Sequence, residues 1–286
     1  MVRCIKCGAN IPEWSLYCPI CGALQEIEKP KIVFDATHYE TLRYNKHLPF
    51  IAEKMLGFDV QILRGSWKEH CFEKMDVFRE VTGIVLGGVE NWSLMSRGEE
   101  ENLTRFVAEG GNLFITPGSL LYMEHFLAGL NRFISRFGLI FGDEAIRDDY
   151  HFDGWHNDHV IIDAFAIHPI TEGVKTICFG DYGGLPLLIF RNEVRALAIT
   201  DADAKPPHHP VLAIAPYGRG YVIVFSCSTT FEKDKYDNLR LARNILKFMD
   251  CRGKAGGFRL MGYVQSTSEE EEEEQPPPPP PPPPPE

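Results

Sequence analysis

Four of the chain's eight cysteines fall within the first 21 residues, as Cys4-Ile-Lys-Cys7-Gly8 and Cys18-Pro-Ile-Cys21-Gly22. A Cys-x-x-Cys step lets two thiolates face one ion, and the glycine after each pair permits the tight turn this needs. Two such steps supply four soft ligands at tetrahedral corners, the preference of a closed structural Zn2+ site. Two disulfides, or four free thiols, are the competing readings. A segment of about 25 residues buries too little apolar surface to fold without a staple, which favours metal. Four sulfur ligands leave no coordination position open, so the expected role of the ion is structural, not catalytic. The other cysteines, Cys71, Cys178, Cys227 and Cys251, are scattered and read as small buried hydrophobes. Thiolate ligands and unpaired cysteines together favour a reducing, cytoplasmic compartment.

The elements that would position further chemistry follow from the apolar patterning. After a short linker at Glu26 to Pro30, Lys31 to Phe34 is an apolar strand, and a helical stretch runs from about Tyr44 to Leu56. Phe58 to Leu63 and Gly83 to Gly88 are further strands, the latter apolar enough to be buried on both faces. Ser96 reads as an N-cap with Glu99, Glu100 and Glu101 in the first turn, where the helix dipole favours them. That helix stops at Gly110-Gly111, and Asn112 to Thr116 is the next strand. Leu120 to Phe137 carries an apolar stripe at helical spacing, read as core. The second half is richer in strands: Val160 to Ile162, Lys175 to Phe179, Leu187 to Phe190 and Val194 to Thr200. Val211 to Ala215 and Tyr221 to Phe225 flank a hairpin turn, and a last amphipathic helix spans about Tyr236 to Asp250. Strand and helix alternating over short links predict parallel β-α-β units and a doubly wound sheet.

In open α/β sheets ligands gather at the carboxyl ends of the strands. Three loops should meet there and would bring together Asp35, His38 and Glu40, then Gly88, Glu90 and Asn91, then Ser119. These residues form a candidate ligand-binding pocket. Asp35 and Asn91 could equally satisfy local turns, and Ser119 could cap a helix. His151, His156, His159 and His168 are interspersed with Asp148, Asp149, Asp153 and Asp158, a composition that could hold a second metal. Their spacing fits no established motif, and a solvated loop is the expected form.

Several segments together resemble a known family. They are Lys31-Ile-Val-Phe-Asp35-Ala-Thr-His38-Tyr-Glu40, Phe106-Val-Ala-Glu-Gly110-Gly111-Asn-Leu-Phe-Ile115 and His168-Pro-Ile-Thr-Glu-Gly173-Val174. Tyr217-Gly-Arg-Gly220-Tyr-Val-Ile-Val-Phe225 and the Asp237-Asn238 pair complete the set. This pattern resembles the GIFT/DUF4350 group of the class I glutamine amidotransferase-like superfamily over about residues 30–250. Residues 1–25 resemble the short zinc ribbons that open many prokaryotic proteins. The first resemblance implies a flavodoxin-like three-layer α/β sandwich on a mostly parallel sheet. Enzymes of that superfamily use a cysteine nucleophile at a strand-end turn, with a histidine base and an acid. Here Pro117-Gly118-Ser119 occupies the turn, and Ser226-Cys227-Ser228 stands where the superfamily has His-Pro-Glu. The catalytic set is missing, so no amidotransferase activity is expected.

The formal net charge is -11, but Glu269 to Glu274 and Glu286 supply seven of those negative charges and leave -4 for the rest. A near-neutral body gives nucleic-acid binding no support, and Arg3 and Lys6 make only a small basic patch in the ribbon. No apolar run approaches the roughly 18 residues of a membrane span, and no leader is expected after Met1. Residues 251–286 combine glycines, seven glutamates and ten prolines, a composition that predicts a disordered acidic and polyproline tail. Such a tail is either a solubiliser or a ligand for an aromatic-lined polyproline groove on a protein partner. The sequence therefore favours a non-catalytic zinc-binding scaffold or protein-interaction module. A protein that binds a small ligand, carbohydrate being one candidate, or hydrolyses it in the strand-end pocket is the alternative.

Overall fold

A computed structural model of the chain describes residues 2–4, 6–11, 18–23, 29–38, 47–89, 94–118, 127–180 and 183–250. The expected tail at 251–286 and most of the expected linker lie outside the described residues. Near the N-terminus, strands β1 (Val2–Arg3) and β2 (Asn10–Ile11) pair antiparallel and enclose the first Cys-x-x-Cys step.

The main sheet is built from β3 (Lys31–Asp35), β4 (Asp59–Leu63), β5 (Val81–Val89) and β6 (Asn112–Pro117). Four later strands complete it: β9 (Ala164–Phe165), β12 (Arg195–Ile199), β13 (Pro210–Tyr217) and β14 (Gly220–Phe225). Their spatial order is β4-β3-β5-β6-β14-β13-β12-β9. Pairing is parallel from β4 across to β14 and antiparallel from β14 out to β9. The parallel half is the doubly wound unit expected from the sequence. The antiparallel half comes from the β13–β14 hairpin, where Tyr217 faces Gly220 and Gly218 takes the positive φ of 59° that the tight turn requires. Short antiparallel pairs lie outside this sheet: β7 (Leu139–Phe141) with β11 (Leu187–Ile189), and β8 (Ile161–Ile162) with β10 (Ile177–Cys178).

Register divides the core in two, because successive side chains on a strand point to opposite faces. Phe34, Val85, Phe114, Ile223 and Ile214 lie side by side across five strands, all in one buried cluster. Helix α1 (His47–Phe50), continued by a π turn over Ile51–Met55, covers that face together with α4 (Asn238–Met249). Val33, Ile84, Leu113, Val222 and Ala215 form the opposite row, covered by α2 (Arg97–Ala108) and α3 (Leu127–Ile134). The result is a helix-sheet-helix sandwich of three layers. Each large apolar side chain in these rows contributes roughly 1.5–3 kcal/mol through burial.

The helices begin and end where their local chemistry dictates. Ser96 caps α2 by accepting the Glu99 N–H at 3.1 Å, and Glu99 accepts the Ser96 N–H in return at 3.0 Å. Glu100, buried in the same turn, receives Arg132 at 2.7 Å and Arg136 at 3.0 Å, tying α3 to α2. At the start of α4, Asp237 accepts the N–H of Lys175 at 2.9 Å. Asn238 bonds both backbone groups of Cys178 at 3.0 Å and the carbonyl of Thr230 at 2.9 Å. Asn238 thus links three chain segments: the start of α4, the strand at Cys178 and the turn at Thr230. Replacing Asn238 by Ala leaves buried backbone groups without partners, each costing about 1–3 kcal/mol. Urea unfolding of Asn238→Ala is expected to show a loss of about 2–4 kcal/mol with an unchanged m-value.

Candidate functional site

The four N-terminal cysteines converge. Cys4 Sγ lies 3.7 Å from Cys21 Sγ, Cys7 Sγ lies 3.6 Å from Cys18 Sγ, and all four sulfurs are within 4.8 Å of one another. None is in a disulfide. The two steps repeat one backbone form: Cys4 N–H donates to Ala9 O and Gly8 N–H to Cys4 O, just as Cys18 N–H donates to Ala23 O and Gly22 N–H to Cys18 O. Gly8 and Gly22 close the two turns with φ of 71° and 67°. Amides of Lys6 and Cys7 point at Cys4 Sγ, and that of Ile20 at Cys18 Sγ, each at 3.4 Å.

This geometry fits a tetrahedral ion. With metal–sulfur bonds near 2.3 Å, tetrahedral edges are about 3.8 Å, close to the observed sulfur spacings. The charge pattern fits too. Cys4 is held down to about 6, first by the Cys7 N–H. Cys7 is pushed up to about 12: the Ala9 amide pulls it down, but the Cys4 sulfur, burial and the other two sulfurs outweigh that. Four adjacent sulfurs resist sharing four negative charges, and a divalent cation relieves the conflict.

A second polar cluster lies at the carboxyl end of β3. Asp35 and His38, both expected to line a pocket, are brought together with their side chains fully buried. His38 Nδ1 sits 2.9 Å from Asp35 Oδ2, and the Thr37 hydroxyl bridges Asp35 Oδ1 at 2.7 Å and His38 Nδ1 at 2.8 Å. On the other side, His38 Nε2 lies 3.6 Å from Glu99 Oε2, and His70 Nδ1 lies 3.3 Å from that same oxygen. Glu99 Oε1 accepts the Phe72 N–H at 3.1 Å, and the Phe72 ring stacks on His38. One imidazole is therefore held between two buried carboxylates, with a second, half-exposed imidazole at the outer end. Burial alone would lower the His38 pKa, but Asp35 and Glu99 outweigh it and raise it to about 9. Burial likewise works against ionised Glu99, yet His38 and the amides of Ser96 and Phe72 hold its pKa below the usual value.

Sequence reasoning found Asp35 and His38 but assigned Glu99 only to the helix dipole, and missed His70. A signal for Glu99 existed. It stands four and seven residues before Leu103 and Phe106, on the buried face of an amphipathic helix, where a carboxylate requires a partner. Gly88, next to last in β5, takes φ of 73° and donates its N–H to the Thr116 hydroxyl at 2.8 Å. Glu40, Glu90, Asn91 and Ser119 lie outside the described residues. The histidine-rich segment makes no compact ligand set: among the described residues only the four cysteines place three or more ligand atoms all within 4.8 Å of one another. His151 pairs with Asp201 at 3.4 Å, and His168 caps the turn Pro169–Thr171 by accepting the Ile170 N–H at 3.1 Å. Ser226, Cys227 and Ser228 follow β14, all three buried.

No protein-family model matches the chain, and a comparison with curated proteins finds no match. Among solved structures, the mmIFT52 N-terminal domain superposes with a TM-score of 0.64 at 16% identity, covering 77% of this chain and 97% of that one. The cytoplasmic protein STM1381 from Salmonella typhimurium LT2 gives 0.55 at 15% identity, covering 77% and 99%. A structure described as thua-like, from Bacteroides uniformis ATCC 8492, gives 0.47 at 11% identity, covering 76% and 90%. At these identities the likeness is one of fold. The chain is thus an α/β/α protein with a four-cysteine centre near its N-terminus. No helix among the described residues is long and apolar enough to cross a membrane.

The buried cluster makes stability depend on pH with a defined sign. The raised His38 contributes stability that is fully present below 6.5 and is lost as pH rises to about 9. Chemical unfolding at pH 6 and pH 9.5 is expected to differ by on the order of 2–3 kcal/mol. In Glu99→Gln that difference should shrink by half or more. An identical pH profile in the two proteins would contradict the assignment.

Proposed function

We propose that the chain is a non-catalytic zinc-binding scaffold. Its parts are a structural Zn2+ ribbon over about residues 1–25 and a degenerate amidotransferase-like body of the GIFT/DUF4350 group over about residues 30–250. A partner-binding polyproline segment within 251–286 completes it.

The state of the body cysteines carries the non-catalytic reading. A cysteine nucleophile works as a thiolate, beside a base and open to substrate. Cys71, Cys178 and Cys227 are all buried. Burial pushes the Cys178 thiol up to about 12, and its sulfur is spent on the carbonyls of His159 and Phe179. Burial raises Cys71 as well, and Cys227 faces the hydroxyl of Thr229 at 3.4 Å. None of the three has the surroundings of a nucleophile. Unpaired cysteines also suit a reducing compartment.

An all-sulfur set with spacings near 3.7 Å suits Zn2+ among the common cations, since hard ions such as Mg2+ and Ca2+ take oxygen ligands. The ion would tie the two turns together and would take no part in chemistry. The acidic and polyproline composition of the tail supports capture of a protein with an aromatic-lined groove.

Three measurements test this. Elemental analysis of purified protein is expected to give one zinc per chain, lost in Cys4→Ser/Cys18→Ser. A diazoketone analogue of glutamine is expected to leave Cys71, Cys178 and Cys227 unmodified, as read by mass spectrometry; a stoichiometric adduct on any of them would overturn the non-catalytic reading. A pull-down comparing the full chain with one ending at Asp250 should lose at least one specific partner when the tail is removed.

A further inference from the structure

Two large aromatic side chains stand almost fully in solvent on one tightly braced loop: Tyr150 is 82% exposed and Trp155 is 96% exposed. The loop is no loose excursion. Asp148 Oδ1 accepts the amides of Tyr150 and His151 at 2.8 Å each, and the Asp148 N–H donates to Asn157 O at 2.8 Å. Asn157 Nδ2 returns to Asp149 Oδ1 at 2.7 Å, Asp153 N–H donates to His159 O at 3.0 Å, and Phe152 bridges Val160. Salt bridges then pin it from outside, Lys205 on Asp149 and Lys235 on Asp153. The second of these brings the segment carrying Tyr236, a further half-exposed aromatic, beside the loop.

The segment that carries these rings is net acidic. Residues 143–163 contain seven carboxylates and a single Lys or Arg, Arg147. Lys205 and Lys235 neutralise Asp149 and Asp153, and the segment together with these two lysines keeps a net charge of -4. Asp148 is buried, and its second oxygen, Oδ2, has no hydrogen-bond donor among the described residues.

Exposed tryptophan and tyrosine on a preorganised support supply large contact area at little entropic cost, the property of binding hot spots. Ring faces carry negative potential, and carboxylates around them add to it, so the complementary ligand is cationic and planar where possible. Nucleic acid and anionic lipid have the wrong sign. We propose that the surface formed by Tyr150, Trp155 and the net acidic segment that carries them docks an arginine- and lysine-rich peptide segment of a partner protein. This deepens the scaffold reading and rests on it, while placing the contact on the body.

The test uses the full-length, zinc-loaded chain and a fluorescein-labelled nona-arginine peptide, followed by anisotropy at low and high salt. The expected result is saturable binding that weakens with salt and falls at least tenfold in Tyr150→Ser/Trp155→Ser. Both positions are exposed, so an unchanged circular-dichroism spectrum and melting curve should accompany that loss. Exposed Asp143→Asn/Glu144→Gln, which leaves the aromatic pair intact, should weaken binding by a smaller factor. Undiminished affinity in the aromatic double variant overturns the proposal, as does absence of binding at millimolar peptide. If the chain ending at Asp250 alone loses the peptide, the contact belongs to the glutamate run. That result overturns this surface and leaves the scaffold reading standing. Preference for an uncharged oligoproline peptide at Trp155 would overturn the cationic assignment in the same way. Failure of the scaffold reading itself shows separately, in the zinc and thiol-labelling measurements.

Discussion

The parallel half of this protein is organised around one buried imidazole between two buried carboxylates. Asp35 ends β3, His38 follows on its loop, and Glu99 sits in the first turn of α2, so three elements meet at His38. Buried carboxylates require a compensating cation or donor, and a protonated imidazole carries an N–H toward each side, whereas a neutral one carries only one. Glu99 carries several roles at once. It closes the capping box with Ser96, receives the Phe72 amide and faces both His38 and His70. Through those contacts the run of short turns from Ser66 to Phe78 is fixed to the sheet. Asn102 reinforces it from the next turn of α2 by donating to the Phe72 carbonyl at 2.9 Å.

The cysteine centre obeys a different physics: among the described residues, buried Cys4 and Cys18 form a cluster of their own, apart from the two larger ones. Its order comes from two glycine-closed turns and the demand of four sulfurs for one cation. Similar local forms at Cys4 and Cys18 arise because the same five-residue pattern imposes the same turn twice. A three-layer sandwich held by apolar rows and a small centre held by thiolates are therefore separate solutions within one chain.

Much of the fold was legible in the sequence because its signals are local. The strands at Lys31, Phe58, Gly83 and Asn112 follow from short apolar runs, and α2 is announced by Ser96 at one end and paired glycines at the other. The hairpin at Gly218 and the amphipathic α4 were equally plain. Of the stripe from Leu120, residues 120–126 lie outside the described residues, and the rest forms a helix over Leu127–Ile134 followed by one tighter turn. The stretch ending near Leu56 closes in a wider π turn, with Leu56 N–H reaching Ile51 O, which no periodicity announces. The inward aim of Asp35 and His38 was hidden for a different reason. Whether a polar residue at a strand end faces solvent or core depends on a partner, and Glu99 lies more than sixty residues away in sequence. Similarly, Asn238 reads as an ordinary helix-start residue until Cys178 and Thr230 are seen beside it.

The change from parallel to antiparallel pairing at β14 also bears on how the chain reaches its folded state. The β13–β14 hairpin closes over a two-residue turn and needs almost no loop entropy to form. By contrast, β14 meets β6 in parallel, with Tyr221 opposite Asn112 across roughly a hundred intervening residues. The strand that joins the two halves of the sheet is thus shared by the most local and one of the most distant pairings in the protein. A preformed hairpin offers β6 a ready edge, so the slow step is the long-range search that brings the first half of the chain to it. Changes at the hairpin turn would consequently act on the speed of assembly as well as on the finished structure.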